Sequence, residues 1–199
     1  MFDKRSMFDK FMPGEMISKA AKKRDIVNSV LVLLVASILF AVGSALSMTQ
    51  AQALLSAVPF DAGTIAVSVF FIVLIGGLFF GWVVALTVKA LAGKGGFFEG
   101  LTSVAYSMLY LSKGMFLAAI FTLIPNAAVT AVLSFAAIII FGVLGYATLF
   151  RGIKELFGTD LLTAFIAVSV IFGATMFGFY ILALGGAASG LLGSMPLTV

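Results

Sequence analysis

Five unbroken apolar stretches dominate this chain, and each is long enough to cross a lipid bilayer. A bilayer core of about 30 Å needs about 20 apolar residues in a helix. Because lipid offers the backbone no hydrogen-bond partner, such stretches must be helical, and none of them alternates with the period of two typical of a barrel strand. We therefore predict an all-α, polytopic membrane protein with five transmembrane helices. The predicted spans are 26–48, 62–87, 103–124, 127–150 and 161–184.

Charged residues make up only 10% of the chain, against about 25% in soluble domains, so a soluble globular fold is excluded. Eleven of the twelve Lys and Arg residues lie before the first stretch, between the second and third, or between the fourth and fifth. These segments alternate with uncharged or acidic ones, which by the positive-inside rule places them in the cytoplasm. The sequence thus predicts a cytoplasmic N-terminal segment (1–25), a five-span domain (26–184) and a short outside tail (185–199).

The chain contains no Cys and no His. This excludes disulfides, thiolate nucleophiles, imidazole bases and the usual zinc, haem and iron–sulfur sites. No two carboxylates share an obvious site for acid–base chemistry. We therefore expect no enzymatic activity, no cofactor and no bound metal. The net charge of +4 lies in the membrane flanks and not in a groove, so we expect no nucleic-acid binding either.

The segment 1–25 has two interpretations. On a helical wheel Met1, Phe8, Phe11 and Met12 cluster, which favours an interfacial helix with its Lys and Arg residues toward anionic lipid. Alternatively, the segment is an ordinary positively charged flank of the first span.

A polar stripe follows helical spacing in the third stretch, through Glu99, Ser103, Tyr106, Tyr110 and Lys113. Such a stripe on a span points into the bundle or into a wet cavity. Tyr106, Tyr110 and Lys113 form the candidate intramembrane polar site. Lys113 either faces the interior or, if the span begins near Met108, extends its amine to the cytoplasmic interface. Whether residues 97–107 lie flat, re-enter the bilayer or continue the span stays open.

Two short regions resemble the Yip domain family, the Ypt/Rab-interacting polytopic membrane proteins. The first region is Lys94-Gly95-Gly96-Phe97 with Gly100-Leu101 and Ser103-Val104-Ala105-Tyr106-Ser107. The second is Val143-Leu144-Gly145-Tyr146 with Leu149, Arg151 through Gly158, and Ala164. The resemblance extends roughly over residues 11–184.

The resemblance implies five spans with the N-terminus inside and a non-enzymatic role. It also implies a cytoplasmic docking loop at Arg151, Lys154 and Glu155, although an ordinary positive-inside loop would have the same composition. The chain departs from the family where Met108-Leu109-Tyr110-Leu111 lacks the usual proline. Eukaryotic members also have long cytosolic N-terminal regions, and this chain has 25 residues before the first span. That difference argues against GTPase binding and resembles the short prokaryotic members, so we expect a prokaryotic cell membrane as the location.

Two functions follow as hypotheses. The first is a membrane-organising or adaptor protein, whose partners are the lipid bilayer and a protein at the cytoplasmic face. The alternative is a small-solute or ion transporter or channel subunit that uses the polar stripe, although no inverted repeat is visible. The motif Gly77-x-x-x-Gly81 permits close helix contact within one chain or between chains, so no oligomeric state is predicted.

Overall fold

The computed structural model describes residues 17, 25–55, 61–93 and 95–173, which are helical apart from short turns. These residues contain no strand, so the all-α prediction is confirmed for them. Four long helices are apolar enough to cross a membrane, and a shorter apolar helix follows. They are α1 (Ile26–Leu55), α2 (Ala62–Ala92), α3 (Phe97–Phe121), α4 (Ala127–Leu156) and α5, described over Leu161–Gly173.

Side-chain caps determine where α2 and α4 begin. The carboxylate of Asp61 accepts a hydrogen bond from the Thr64 backbone N–H at 2.8 Å, and the amide oxygen of Asn126 accepts one from the Ala128 N–H at 3.1 Å. Both contacts satisfy backbone donors that the first helical turn leaves without an intrahelical partner. At the other end of α2, Gly93 adopts the left-handed conformation (φ 68°) and stops the helix.

Helix α3 occupies the centre of the bundle and contacts α1, α2 and α4. It runs parallel to α1: Ser29 contacts Thr102 near the start of both helices, and Gly43 lies against Phe116 further along both. Since α3 has neighbours on three sides, it is the most buried of the four long helices. This explains why the most polar of the apolar stretches lies in the middle.

Helices α2 and α4 run antiparallel to α3. Gly152, late in α4, packs on Ser103, early in α3, whereas Gly114 of α3 packs on Phe141. The start of α1, the turn between α2 and α3 and the turn between α4 and α5 consequently meet at one end of the bundle. We call this the basic end, because Lys89, Arg151 and Lys154 lie there.

The closest helix contact joins α2 and α3 through two glycines. A Cβ added to Gly100 would lie 2.1 Å from the carbonyl oxygen of Gly81 and 2.9 Å from the backbone nitrogen of Ala85. Only glycine at position 100 lets the two backbones approach so closely. The motif Gly77-x-x-x-Gly81 therefore serves packing within this chain.

Two apolar clusters hold the helices together. The larger joins α2, α3, α4 and α5 near the basic end, and includes Val84, Ile153, Phe157 and Val168, each nearly or fully buried. The smaller joins α1 and α3 through Leu33, Leu101 and Ala105. The outward surfaces of the helices are instead apolar and exposed, which suits contact with lipid hydrocarbon; they include Val67, Ile72, Val132, Phe135 and Leu162.

The third helix begins earlier than the predicted span. It starts at Phe97 and runs without interruption to Phe121, so residues 97–107 continue the helix that contains the rest of the stretch. Of the predicted fifth span, residues 161–173 are described as helix. The rest of that span, the tail 185–199 and the N-terminal segment apart from Ile17 and Asp25 lie outside the described residues.

Candidate functional site

The polar stripe of α3 lies inside the bundle. Glu99, Ser103, Tyr106 and Tyr110 are at most 7% exposed. Their spacing of three and four residues puts them on one face of the helix, and that face is turned toward neighbouring helices. Polar groups in such a position either bind a ligand or hold helices together.

Hydrogen bonds connect the stripe side of α3 to α1. The side-chain nitrogen of Asn28 donates to the hydroxyl of Tyr106 at 3.1 Å. The hydroxyls of Ser29 and Thr102 share a hydrogen bond of 2.8 Å in the protein interior. Each pair joins side chains of two different helices, so both bonds fix the position of α1 along α3.

A second set of hydrogen bonds connects α3 to α4. The Ser107 hydroxyl donates to the carbonyl oxygen of Gly145 at 2.9 Å, and the Ser134 hydroxyl donates to that of Ala118 at 3.0 Å. Within the described part of the chain, no buried side-chain nitrogen or oxygen lacks a hydrogen-bond partner. The side-chain hydroxyls that bond between helices, those of Ser29, Thr102, Tyr106, Ser107 and Ser134, therefore serve helix association, where each such bond contributes about 0.6 kcal/mol.

Lys113 lies far from the start of its helix. It is 16 residues after Phe97, about 24 Å along the axis, and eight residues before Phe121, about 12 Å. Its amine lies 5.2 Å from the centre of the Tyr110 ring, one turn back toward the helix start. Helix α3 begins 11 residues before Met108, so Lys113 lies well inside the helix, and both interpretations of its amine stay predictions.

The three residues of the candidate intramembrane site, Tyr106, Tyr110 and Lys113, have different contacts. Tyr110 and Lys113 are in contact through a cation–π interaction, whereas Tyr106 is hydrogen-bonded to Asn28. The two clefts that we describe lie elsewhere. One is at the basic end, and the other is on the outer surface of α4, lined by Ala128, Val129, Val132 and Leu133.

The second candidate site, Arg151, Lys154 and Glu155, was predicted to be a loop and is helical. These residues form part of the last turns of α4, which ends at Leu156. The Nε of Arg151 donates to a carboxylate oxygen of Glu155 one turn later, at 2.5 Å. The helix continues past the apolar run because charged residues one turn apart favour helical structure, and because Lys154 interacts favourably with the negative C-terminal end of the helix dipole.

Asp160 adds a negative charge to this end of the bundle. Its carboxylate accepts a hydrogen bond from the Thr163 backbone N–H at 2.6 Å in the first turn of α5. That backbone bond, together with one from the Thr163 side chain, lowers the pKa of Asp160 below its ordinary value. The exposed surface at the end of α4 thus presents both signs of charge, with Arg151 and Lys154 beside Glu155 and Asp160.

A contact between the two turns at the basic end could not be predicted from the sequence. Gly95 has a φ of 88°, and a Cβ at this position would lie 2.0 Å from a ring carbon of Phe157. The ring of Phe157, at the end of α4, is therefore seated directly on the turn between α2 and α3. The glycine-rich composition of that turn indicates a close approach to the backbone, but it does not identify Phe157 as the residue that approaches.

Glu99 caps α3 and lies in the wall of the cleft at the basic end. The backbone N–H of Gly96 donates to its carboxylate at 2.9 Å, which is half of a capping box. Glu99 is only 6% exposed. In the described part of the chain, no cluster of three or more Asp or Glu residues could hold a metal ion.

Comparison with known proteins gives one family. The family model described as the Yip1 domain matches residues 11–182 of the chain. No curated protein and no solved structure matches the chain. The family and the four long apolar helices make this chain a multi-pass integral membrane protein.

Proposed function

The chain belongs to the Yip1 domain family, and on that premise we propose that it is a non-enzymatic membrane-organising or adaptor protein with a docking face at the basic end. In this proposal the basic end is cytoplasmic, and the exposed Arg151 and Lys154 at the end of α4, with the half-buried Glu155, contact a protein partner. The bilayer holds the bundle so that this face is presented to the cytoplasm.

The proposed topology has five spans, with the N-terminus inside and the C-terminus outside. Its support is the charge distribution along the four long helices. Lys89, Arg151 and Lys154 lie at one end of the bundle, whereas the described residues at the opposite end include Asp61 and no Lys or Arg. By the positive-inside rule the basic end faces the cytoplasm. The apolar helix α5 starts at that end and would complete the fifth span.

The observation that carries the adaptor role is the use of the polar groups on α3. In a transporter such groups line a wet path, and here those of Thr102, Tyr106 and Ser107 bond to neighbouring helices. The exposed charged groups at the end of α4 are instead available to a protein partner.

Site-specific photo-crosslinking in native membranes tests the docking face. A photoreactive side chain at Lys154 is expected to capture a discrete protein species, and Arg151→Glu is expected to weaken that capture about tenfold by reversing a charge at the contact. The matched control places the same group at Tyr146, which is exposed on the lipid-facing surface of α4. Capture at position 146 equal to that at 154, or no effect of the charge reversal, would contradict the docking face.

One observation favours the transporter as a second candidate. Lys113 is a cationic side chain within a membrane-length helix, where such charges are costly and often functional. Flux assays in proteoliposomes, with a panel of ions and small solutes, compare the intact chain with Lys113→Met. The adaptor proposal predicts no flux above that of empty liposomes for either protein. Flux that is present in the intact chain and lost in Lys113→Met would replace the adaptor proposal by a transporter.

A further inference from the structure

We propose that Lys113 is the centre of a docking surface inside the membrane, and that this surface binds a transmembrane helix of a different protein through an Asp or Glu at mid-membrane depth. The surface, which we call the Lys113 face, consists of Lys113, Leu117 and Ile120 of α3. The proposal goes beyond the adaptor role and does not depend on it, because this contact lies within the bilayer and away from the basic end.

The Lys113 face lies on the side of α3 between α1 and α4. Phe116 packs on α1 and Gly114 packs on α4, and with about 3.6 residues per turn the three residues of the face point between these two directions. Among the described residues, α1 and α4 both pack on α3 but make no extensive contact with each other. Lys113 and Leu117 are half-buried and Ile120 is 37% exposed, so the face is open to a neighbouring molecule in the bilayer.

The depth of the Lys113 amine favours an anion inside the hydrocarbon core over a lipid phosphate. Side chains on a helix lean toward its start, and the amine lies 5.2 Å from the centre of the Tyr110 ring, away from the nearer helix end. Tyr110 is 13 residues after Phe97, about 20 Å along the axis, and 11 residues before Phe121, about 17 Å. The amine is therefore near mid-membrane, whereas lipid phosphates lie outside a core of about 30 Å.

The amine has no acidic partner within the described part of the chain. Its described contact is the Tyr110 ring, whose face attracts the positive charge but leaves the three N–H donors of the ammonium group for another acceptor. Glu99, on the same helix, is 14 residues away, about 21 Å along the axis. A charge at this depth is costly unless it is paired. A carboxylate supplies both the opposite charge and the acceptors.

A second copy of this chain does not offer a carboxylate at this depth. The described carboxylates all lie within three residues of a helix end, and the remaining ones precede α1 in the sequence. The acidic partner is therefore a different protein. The acidic residues of the chain are Asp3, Asp9, Glu15, Asp25, Asp61, Glu99, Glu155 and Asp160.

The two apolar members of the face define the rest of the partner's surface. Leu117 and Ile120 follow Lys113 by about one and two turns, toward the end of α3 opposite the basic end. A complementary helix has its acidic residue at the level of the amine and apolar side chains one and two turns further toward that end. Such a helix pairs the charge and packs against the apolar residues in a single contact.

Model transmembrane peptides in liposomes test the proposal. The probes are Leu/Ala helices of about 24 residues with Glu, Gln or Leu at the centre, each with an acceptor dye. The full chain has a donor dye at Asn126→Cys, which is possible because it has no native Cys. We expect the Glu peptide to bind about tenfold more tightly than the Leu peptide, and the Gln peptide at most about threefold more tightly, as for neutral polar residues. Equal binding of all three would overturn the proposal.

A charge exchange separates a specific pair from a general effect of the substitution. In Lys113→Met we expect the preference for the Glu peptide to fall below about twofold, and in Lys113→Glu we expect a peptide with a central Lys to recover a preference of about tenfold. The matched control is Lys154→Met, which removes an exposed lysine at the basic end and should keep the preference. A preference that persists in Lys113→Met, or no recovery in Lys113→Glu, would contradict the pair.

Vesicle composition tests the alternative occupant, a lipid phosphate. We expect the ratio of Glu-peptide to Leu-peptide binding to be the same in zwitterionic vesicles and in vesicles rich in phosphatidylglycerol, because headgroups lie outside the core. A ratio that falls as the anionic fraction rises, in the intact chain and not in Lys113→Met, would place a lipid phosphate at Lys113 and overturn the proposal.

Discussion

Replacing Gly100 with alanine tests the contact that sets the distance between α2 and α3. The added Cβ would lie 2.1 Å from the Gly81 carbonyl oxygen and 3.0 Å from the Cβ of Ala85. A carbon and an oxygen that are not bonded need about 3.2 Å, so the two helices must separate by about 1 Å. Because the obstructing oxygen belongs to the backbone of a helix, no side-chain rotation can relieve the clash.

The cost follows from the contacts that this separation weakens. A gap of 0.5–1 Å forfeits about a quarter to a half of the dispersion energy of each atom pair along the interface. Overpacking substitutions in well-packed interiors cost about 1–3 kcal/mol. We expect a value near the upper limit, about 2–3 kcal/mol, which corresponds to a melting temperature lower by about 4–12 °C for a chain of this length.

Thermal unfolding of the purified protein in detergent measures the effect, and two neighbouring glycines of α2 provide graded controls. A Cβ at Gly77 would meet the end of the Leu33 side chain at 2.6 Å, which can move, and a Cβ at Gly76 would meet nothing within 4 Å. We expect Gly76→Ala to leave the melting temperature unchanged or slightly raised, Gly77→Ala to lower it slightly, and Gly100→Ala to lower it most. A Gly100→Ala protein as stable as Gly76→Ala would show that the contact between α2 and α3 is not as close as described.

Two further predictions concern hydrogen bonds. In a double-mutant cycle, Asn28→Ala and Tyr106→Phe should show a coupling energy of about 0.6 kcal/mol in unfolding, the usual value for a polar pair between membrane helices, and additive effects would show that the pair is not formed. At the start of α2, the hydrogen bond from the Thr64 hydroxyl, followed by that from its backbone N–H, holds the pKa of Asp61 below its ordinary value of 3.8. The charged Asp61 therefore stabilises the folded state above the pKa of the unfolded chain, and this contribution is lost as the pH falls through the lowered folded pKa. The stability advantage over Asp61→Ala should shrink below about pH 4, and a constant difference between pH 7 and pH 3 would contradict the cap.

The positions of the long helices could be predicted from the sequence, since hydrophobic length and lipid contact determine them. The starts of α2 and α4 follow Asp61 and Asn126, whose side chains are recognisable caps. The predicted third span starts six residues after α3 begins, and the sequence left residues 97–107 open because the capping position is Gly96, which has no side chain, and the capping bond comes from Glu99 alone. The last turns of α4 were missed because the prediction followed hydrophobicity, whereas Arg151 and Glu155 extend the helix through their ion pair.

The polar stripe was visible in the sequence, but its partners were not. The spacing from Glu99 to Tyr110 places these residues on one face of a helix, whichever helices surround it. That Tyr106 bonds to Asn28, 78 residues earlier, depends on the parallel packing of α1 on α3. The contact of Gly95 with Phe157 likewise depends on how two turns meet in space. Such long-range contacts follow from the packing of the helices, and they cannot be predicted from hydrophobic periodicity.

Cysteine labelling from each side of the membrane tests the topology on which the docking face depends. The chain has no native Cys, so single substitutions at Lys154, Asn126 and Leu197 can be labelled separately in sealed, right-side-out vesicles. With five spans and a cytoplasmic basic end, we expect an impermeant maleimide to label positions 126 and 197 from outside, and position 154 only after the vesicles are opened. Labelling of position 154 from outside, or of position 197 only after opening, would contradict a five-span chain with its basic end in the cytoplasm.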